Sequence, residues 1–61
     1  IREERRRLFE QRQPFQCGVL ARTHIPVIYM PLGDGGWKEN HSGRTIPHEN
    51  LQAYLKRYRL I

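Results

Sequence analysis

Apolar residues along this chain fall into short stretches whose spacing changes from one to the next. Arg2 to Gln13 lack Gly and Pro and are rich in helix formers, which predicts a first helix ended by Pro14. Glu3 and Glu4 lie in its first turn, where the helix dipole favours anions. Its apolar stripe is thin, with Ile1, Leu8 and Phe9 only, and Arg5 and Arg12 stand where a core-facing helix would carry apolar side chains. The pattern predicts a peripheral helix anchored by Leu8 and Phe9.

From Phe15 the period changes to two. Phe15, Cys17, Val19 and Ala21 alternate with other residues, which predicts a strand with those four on one side. Ile25 to Met30 is rich in β-branched and aromatic residues and predicts a second strand, with Pro26 at its edge. Gly33-Asp34-Gly35-Gly36 reads as a mobile turn. Trp37-Lys38-Glu39 and Arg44-Thr45-Ile46 read as short strands flanking Asn40 to Gly43, forming a hairpin or wing.

Helical periodicity returns after Pro47, which suits a first helical turn. Leu51, Tyr54, Leu55, Tyr58 and Ile61 form one face, and Lys56, Arg57 and Arg59 crowd the far end. The expected fold is a small single α+β domain spanning 1–61, in the order helix, two strands, hairpin or wing, C-terminal helix. Val19, Ile28 and neighbouring side chains of the sheet are expected to pack on Leu51, Tyr54, Leu55 and Tyr58.

Size limits how stable such a fold is. A chain this short buries only about 60% of its unfolded surface. Cys17 is the single cysteine, so no internal disulfide reinforces it. A lone thiol fits a reducing, intracellular compartment. No apolar leader marks a signal peptide, and Ile25 to Leu32, interrupted by Pro26 and Pro31, is too short to span a membrane. The chain opens on Ile1, which reads as a domain excised from a larger protein.

Charge changes the picture most. Eleven Lys and Arg face six Asp and Glu, a formal net charge of +5, and nine of the eleven are Arg. Arg carries a planar fork of donors that matches phosphate and carboxylate groups. A small basic domain with this balance fits a polyanionic partner. The candidate contacts are Arg5, Arg6, Arg7, Lys38, Arg44, Arg57 and Arg59, with Arg12 extending the first patch and Tyr29, Trp37 and Tyr58 as aromatics for stacking. The plainer reading of the Arg runs is a solvated helix face, and of Trp37 and Tyr54 core packing.

Other chemistry is thinly supported. Cys17, His24, His41 and His48 are a zinc-type ligand set, but their spacing lacks the short-gap pairs that bring two ligands together on a tight turn. Cys17 with His24 lacks a third orienting group for nucleophilic catalysis. The Gly33–Gly36 turn lacks the Lys-Ser/Thr of a phosphate-binding loop. No enzyme activity, metal or cofactor is expected.

The segment Gly43-Arg44-Thr45-Ile46-Pro47-His48-Glu49-Asn50-Leu51-Gln52-Ala53-Tyr54-Leu55 resembles the end of excisionase-like winged-helix DNA-binding domains. These close with a basic wing strand, Ile-Pro, and a helix of the form Leu-x-x-Tyr/Phe-Leu. The resemblance covers the C-terminal quarter of the chain. It implies Lys38 and Arg44 as wing contacts to DNA, and Leu51, Tyr54 and Leu55 as packing. In that family a helix-turn-helix precedes the wing, whereas Phe15 to Met30 here reads as strand. A fainter echo, Gly36-Trp37, Ser42-Gly43, Pro47 and Asn50-Leu51, resembles the end of an SH3 domain and implies a β-barrel peptide binder.

The expected function is nucleic-acid binding through the phosphate backbone, with DNA favoured over RNA and no membrane partner. The alternative is a protein-interaction module or accessory subunit facing an acidic or apolar protein surface, with Tyr29, Met30 and Leu32 meeting the partner.

Overall fold

A computed structural model describes the whole chain, Ile1–Ile61. The elements run α1 (Arg2–Glu10), β1 (Phe15–Val19), β2 (Pro26–Pro31), β3 (Trp37–Glu39), β4 (Thr45–Ile46) and α2 (His48–Arg57). The four strands form one antiparallel meander in the order β1-β2-β3-β4. The expected α+β order of helix, two strands, hairpin and helix is therefore the observed one.

Strand parity assigns the two faces of the sheet. Phe15 pairs with Tyr29 and Tyr29 with Glu39, while Pro31 pairs with Trp37 and Trp37 with Ile46. Phe15, Tyr29 and Trp37 are buried on this side together with Phe9 from α1 and Leu51 and Leu55 from α2. Both helices thus cover one face. The opposite face carries the cross-strand row Met30, Lys38 and Thr45, all exposed.

The core is mainly aromatic. Phe9 stacks on Trp37 with centroids 5.2 Å apart and on the His48 ring at 4.8 Å. Phe15 meets Phe9 and Trp37 edge-on and lies 5.5 Å from Tyr29. Offset and edge contacts of this kind add about 0.5–1.5 kcal/mol per pair beyond area burial. Phe9 places α1 at the centre of the fold, which corrects its expected peripheral role. One large ring compensates for a thin stripe.

Expectations change at four further residues. Val19 and Tyr54 are not core residues, and neither is Tyr58; all three are exposed. The register explains Val19: the pairing Gln16↔Ile28 shifts by one residue before Val19↔Pro26. This bulge, beside Gly18 at φ 82°, turns Val19 to the opposite face. Tyr29, expected at a partner surface, is buried in the core.

Both helices end in the same motif. Arg12 N–H donates to the Phe9 carbonyl and Gln13 N–H to Leu8. Arg59 N–H donates to Lys56 and Leu60 N–H to Leu55 in the same pattern. This paired closure needs a left-handed residue after the helix, usually Gly. Here Arg12 (φ 53°) and Arg59 (φ 56°) fill it.

The β1–β2 and β3–β4 connections also share a geometry. Leu20 and Ile25 close one four-residue loop, and His24 N–H donates to the Leu20 carbonyl. Glu39 and Arg44 close the other, and Gly43 N–H donates to Glu39. The fourth loop residue is left-handed in both, His24 at φ 57° and Gly43 at φ 72°. A Cβ in this region costs about 1–2 kcal/mol, partly offset by the unfolded-state freedom of glycine. His24→Gly is expected to stabilise the domain by about 0.5 kcal/mol, raising Tm by about 2–4 °C in a thermal melt. An unchanged or lower Tm would show that His24 makes a compensating contact.

At the start of β3 the requirement is space. A Cβ on Gly36 would sit 2.9 Å from the Ile46 carbonyl oxygen, so the close approach of β4 excludes any side chain there.

Candidate nucleic-acid interface

The sequence-predicted cations reach three separate places. Arg5 is half-buried, and its guanidinium donates to the Leu60 carbonyl at 2.5 Å. This bond ties α1 to the C-terminal tail, so Arg5 has a structural task. Arg6 and Arg7 are exposed but share their surroundings with Glu3, Glu4 and Glu10, giving a face of mixed charge.

Arg12 leaves the basic patch altogether. Its guanidinium donates to the carbonyls of Leu32 (2.9 Å), Gly35 (2.9 Å) and Gly36 (3.1 Å). It also lies 5.0 Å from the centroid of the Trp37 ring. The Gly33–Gly36 turn, expected to be mobile, is thereby fastened to the end of α1. Asp34 adds a second tie by accepting from Gly36 N–H at 2.9 Å.

Lys38 and Arg44 occupy the wing formed by β3, β4 and their loop. Lys38 lies on the open face of the sheet, beside Met30 and Thr45. The loop is well tied. Asn40 accepts from Ile28 N–H at 2.8 Å and donates to the Pro26 carbonyl at 3.1 Å, where His41 Nε2 also lies at 3.1 Å. The Glu39 carboxylate accepts from the backbone N–H groups of His41 and Ser42 and from the Ser42 hydroxyl. Those bonds, the His41 N–H first, hold its carboxyl below the usual range. A lowered folded-state value means that this support is present above the unfolded carboxylate range and is lost as pH falls through the folded value. The wing therefore carries an anion fixed by its own loop as well as its two cations.

The third place is the end of α2. Helical spacing puts Asn50, Tyr54, Arg57 and Tyr58 on one flank, beside the core-facing Leu51 and Leu55. Tyr54 is 46% and Tyr58 58% exposed, with ring centroids 5.1 Å apart. The Arg57 guanidinium lies 5.8 Å from the Tyr58 ring centroid, and Arg59 follows in the helix closure. Of the aromatics proposed for stacking, Trp37 and Tyr29 are buried while Tyr58 is exposed. Tyr54, expected to pack inside, joins it. An i,i+4 Tyr pair outside the Leu51/Leu55 stripe is the sequence signal for this arrangement.

The candidate metal ligands serve other purposes. His48 Nδ1 accepts from Trp37 Nε1–H at 3.1 Å. Cys17 is half-buried, and burial pushes its thiol up, against some opposing pull from Arg5. His24 sits in the β1–β2 loop and His41 in the wing. No three His, Cys, Asp or Glu side chains come together in a metal-binding group. No helix is long and apolar enough to cross a membrane. Comparison with protein-family models, curated proteins and solved structures gives no match for this chain.

Proposed function

We propose that this domain binds nucleic acid chiefly through the phosphate backbone, with its contact surface centred on the end of α2. The observation that carries this reading is a pair of exposed tyrosines at the end of α2 with Arg57 beside one of them and the exposed Arg59 next in the chain. Phosphates accept from guanidinium forks, and exposed rings offer a surface to bases. Lys38 and Arg44 on the wing, and Arg6 and Arg7 on α1, supply further cationic contacts at separate positions on the surface. Arg5 supports the surface indirectly, since its bond to Leu60 holds the tail against α1.

The expected result is strongly salt-dependent binding. Contacts to about five phosphates predict an affinity loss of roughly a hundredfold for a single strand, and about five hundredfold for a duplex, between 50 and 200 mM salt. Fluorescence anisotropy with a labelled oligonucleotide measures it. Arg57→Gln combined with Arg59→Gln should weaken binding about tenfold or more and flatten the salt slope. Absence of binding at low salt would overturn the reading.

One observation favours a second reading. Val19, Leu20, Ile25 and Met30 are each about half exposed, and the cations are spread over several faces. A protein partner that covers these apolar side chains would bind with little dependence on salt. Sedimentation together with the salt titration separates the two.

A further inference from the structure

The Tyr54 flank borders a cleft that the backbone-binding reading does not use. It measures about 300 Å³ and is lined by Tyr29, Ile46, Asn50, Leu51 and Tyr54. The cleft lies between the β4 end of the sheet and α2, so its floor is the edge of the core. Its walls are chiefly apolar, two of them aromatic. Asn50 contributes an exposed amide at the rim, with donors and an acceptor on one short side chain.

Three properties of this cleft select an occupant. Its volume is at the small end of the range for ligand pockets, about 300–1,000 Å³, and it is open to solvent. That suits a single flat group better than a whole small molecule. The exposed Tyr54 ring favours a planar π system, which stacks on it in an offset geometry, while the buried Tyr29 contributes only to the floor. Along the same helix flank, Arg57 stands one turn beyond Tyr54, with Arg59 after it, so the occupant's attached chain meets positive charge. A flat, polar-edged ring on an anionic chain is a nucleotide of a polynucleotide. Bases inside a duplex are stacked on one another and do not reach a cleft on the side of a protein, so the strand must be single.

We infer that the cleft beside Tyr54 receives an unstacked base of single-stranded nucleic acid, with Asn50 at the base edge and Arg57 and Arg59 on the adjoining phosphates. This rests on the backbone-binding reading and adds to it a preference for single strands. Tyr58 offers a second ring to the neighbouring base, because the two tyrosines are one helical turn apart. Sequence tolerance follows, since every base has a π face.

The test compares three probes on the native domain: a thymidine oligomer of about 12 nucleotides, the same backbone with abasic sites, and a matched duplex. At one salt concentration the thymidine oligomer is expected to bind about 10- to 100-fold tighter than the abasic strand, and tighter than the duplex. Tyr54→Ala should remove most of that difference while leaving the salt slope unchanged. Tyr54→Phe, which keeps the ring, should retain it. Equal, salt-dependent binding of the thymidine and abasic strands would overturn the base cleft and leave backbone binding standing. If no strand binds and an acidic peptide bearing an aromatic side chain does, both readings fail and the cleft belongs to a protein partner. The abasic comparison uses the unaltered protein, so the test does not depend on any variant folding.

Discussion

Replacing Trp37 with alanine is expected to unfold the domain at room temperature. Trp37 is fully buried and touches rings from three other elements: Phe9 of α1, Phe15 of β1 and His48 of α2. Removing a core aromatic of this size costs about 3–5 kcal/mol. A domain of this length has a total stability of about 3–9 kcal/mol, so the substitution removes a large part of it or all of it. Trp37→Phe separates packing from polarity. It keeps a ring in place but deletes the Nε1–H that His48 Nδ1 accepts. A cost of about 1–3 kcal/mol is expected, because a part-buried acceptor loses its donor. Urea titration followed by circular dichroism measures both variants. A stable, cooperatively folded alanine variant would contradict the aromatic core described above.

Arg12 is expected to show the second-largest effect, and it distinguishes a structural arginine from a surface one. Arg12→Ala removes three hydrogen bonds to backbone carbonyls and a cation over the Trp37 face. Hydrogen bonds to charged groups contribute about 1.5–3 kcal/mol each when buried. Arg12 is only half-buried, and solvent weakens these bonds, so a combined loss of about 2–3 kcal/mol is expected. An arginine serving only the charged surface would change stability by about 0.5 kcal/mol or less. Arg12→Lys should recover little, because one ammonium does not span three carbonyls set in different directions. Arg12→Gly should lose less than Arg12→Ala by about 1 kcal/mol, since glycine adopts the left-handed backbone at φ 53° without penalty. An order of stability with alanine above glycine would refute the assigned role of the helix closure.

The two expectations share a lesson about charge. Nine arginines in this chain invite a single explanation, a polyanion-binding surface. Tertiary structure divides them. Arg12 gathers the carbonyls of a glycine-rich turn, and Arg5 holds the tail to α1. Arg59 also closes a helix through its backbone, while its side chain stays at the exposed end of α2. Composition counts these groups alike because charge carries no information about which carbonyl a guanidinium will meet.

What the residue pattern determined by itself was local. Pro14 and Pro47 bound the helices, β-branched and aromatic runs became strands, and the Gly-rich and Asn-His-Ser-Gly segments became turns. These follow from backbone sterics and from the periods of the two regular structures, which act within a few residues. Tertiary structure alone decided which side chains lie inside. A one-residue bulge before Val19 reversed the parity that alternation had implied. Phe9 entered the core because Trp37 and His48 presented parallel rings to it. Tyr54 and Tyr58 were left outside because Leu51 and Leu55, at the centre of the helix face, filled the space beneath α2. Burial depends on partners distant in sequence, and no local period records where those partners will stand.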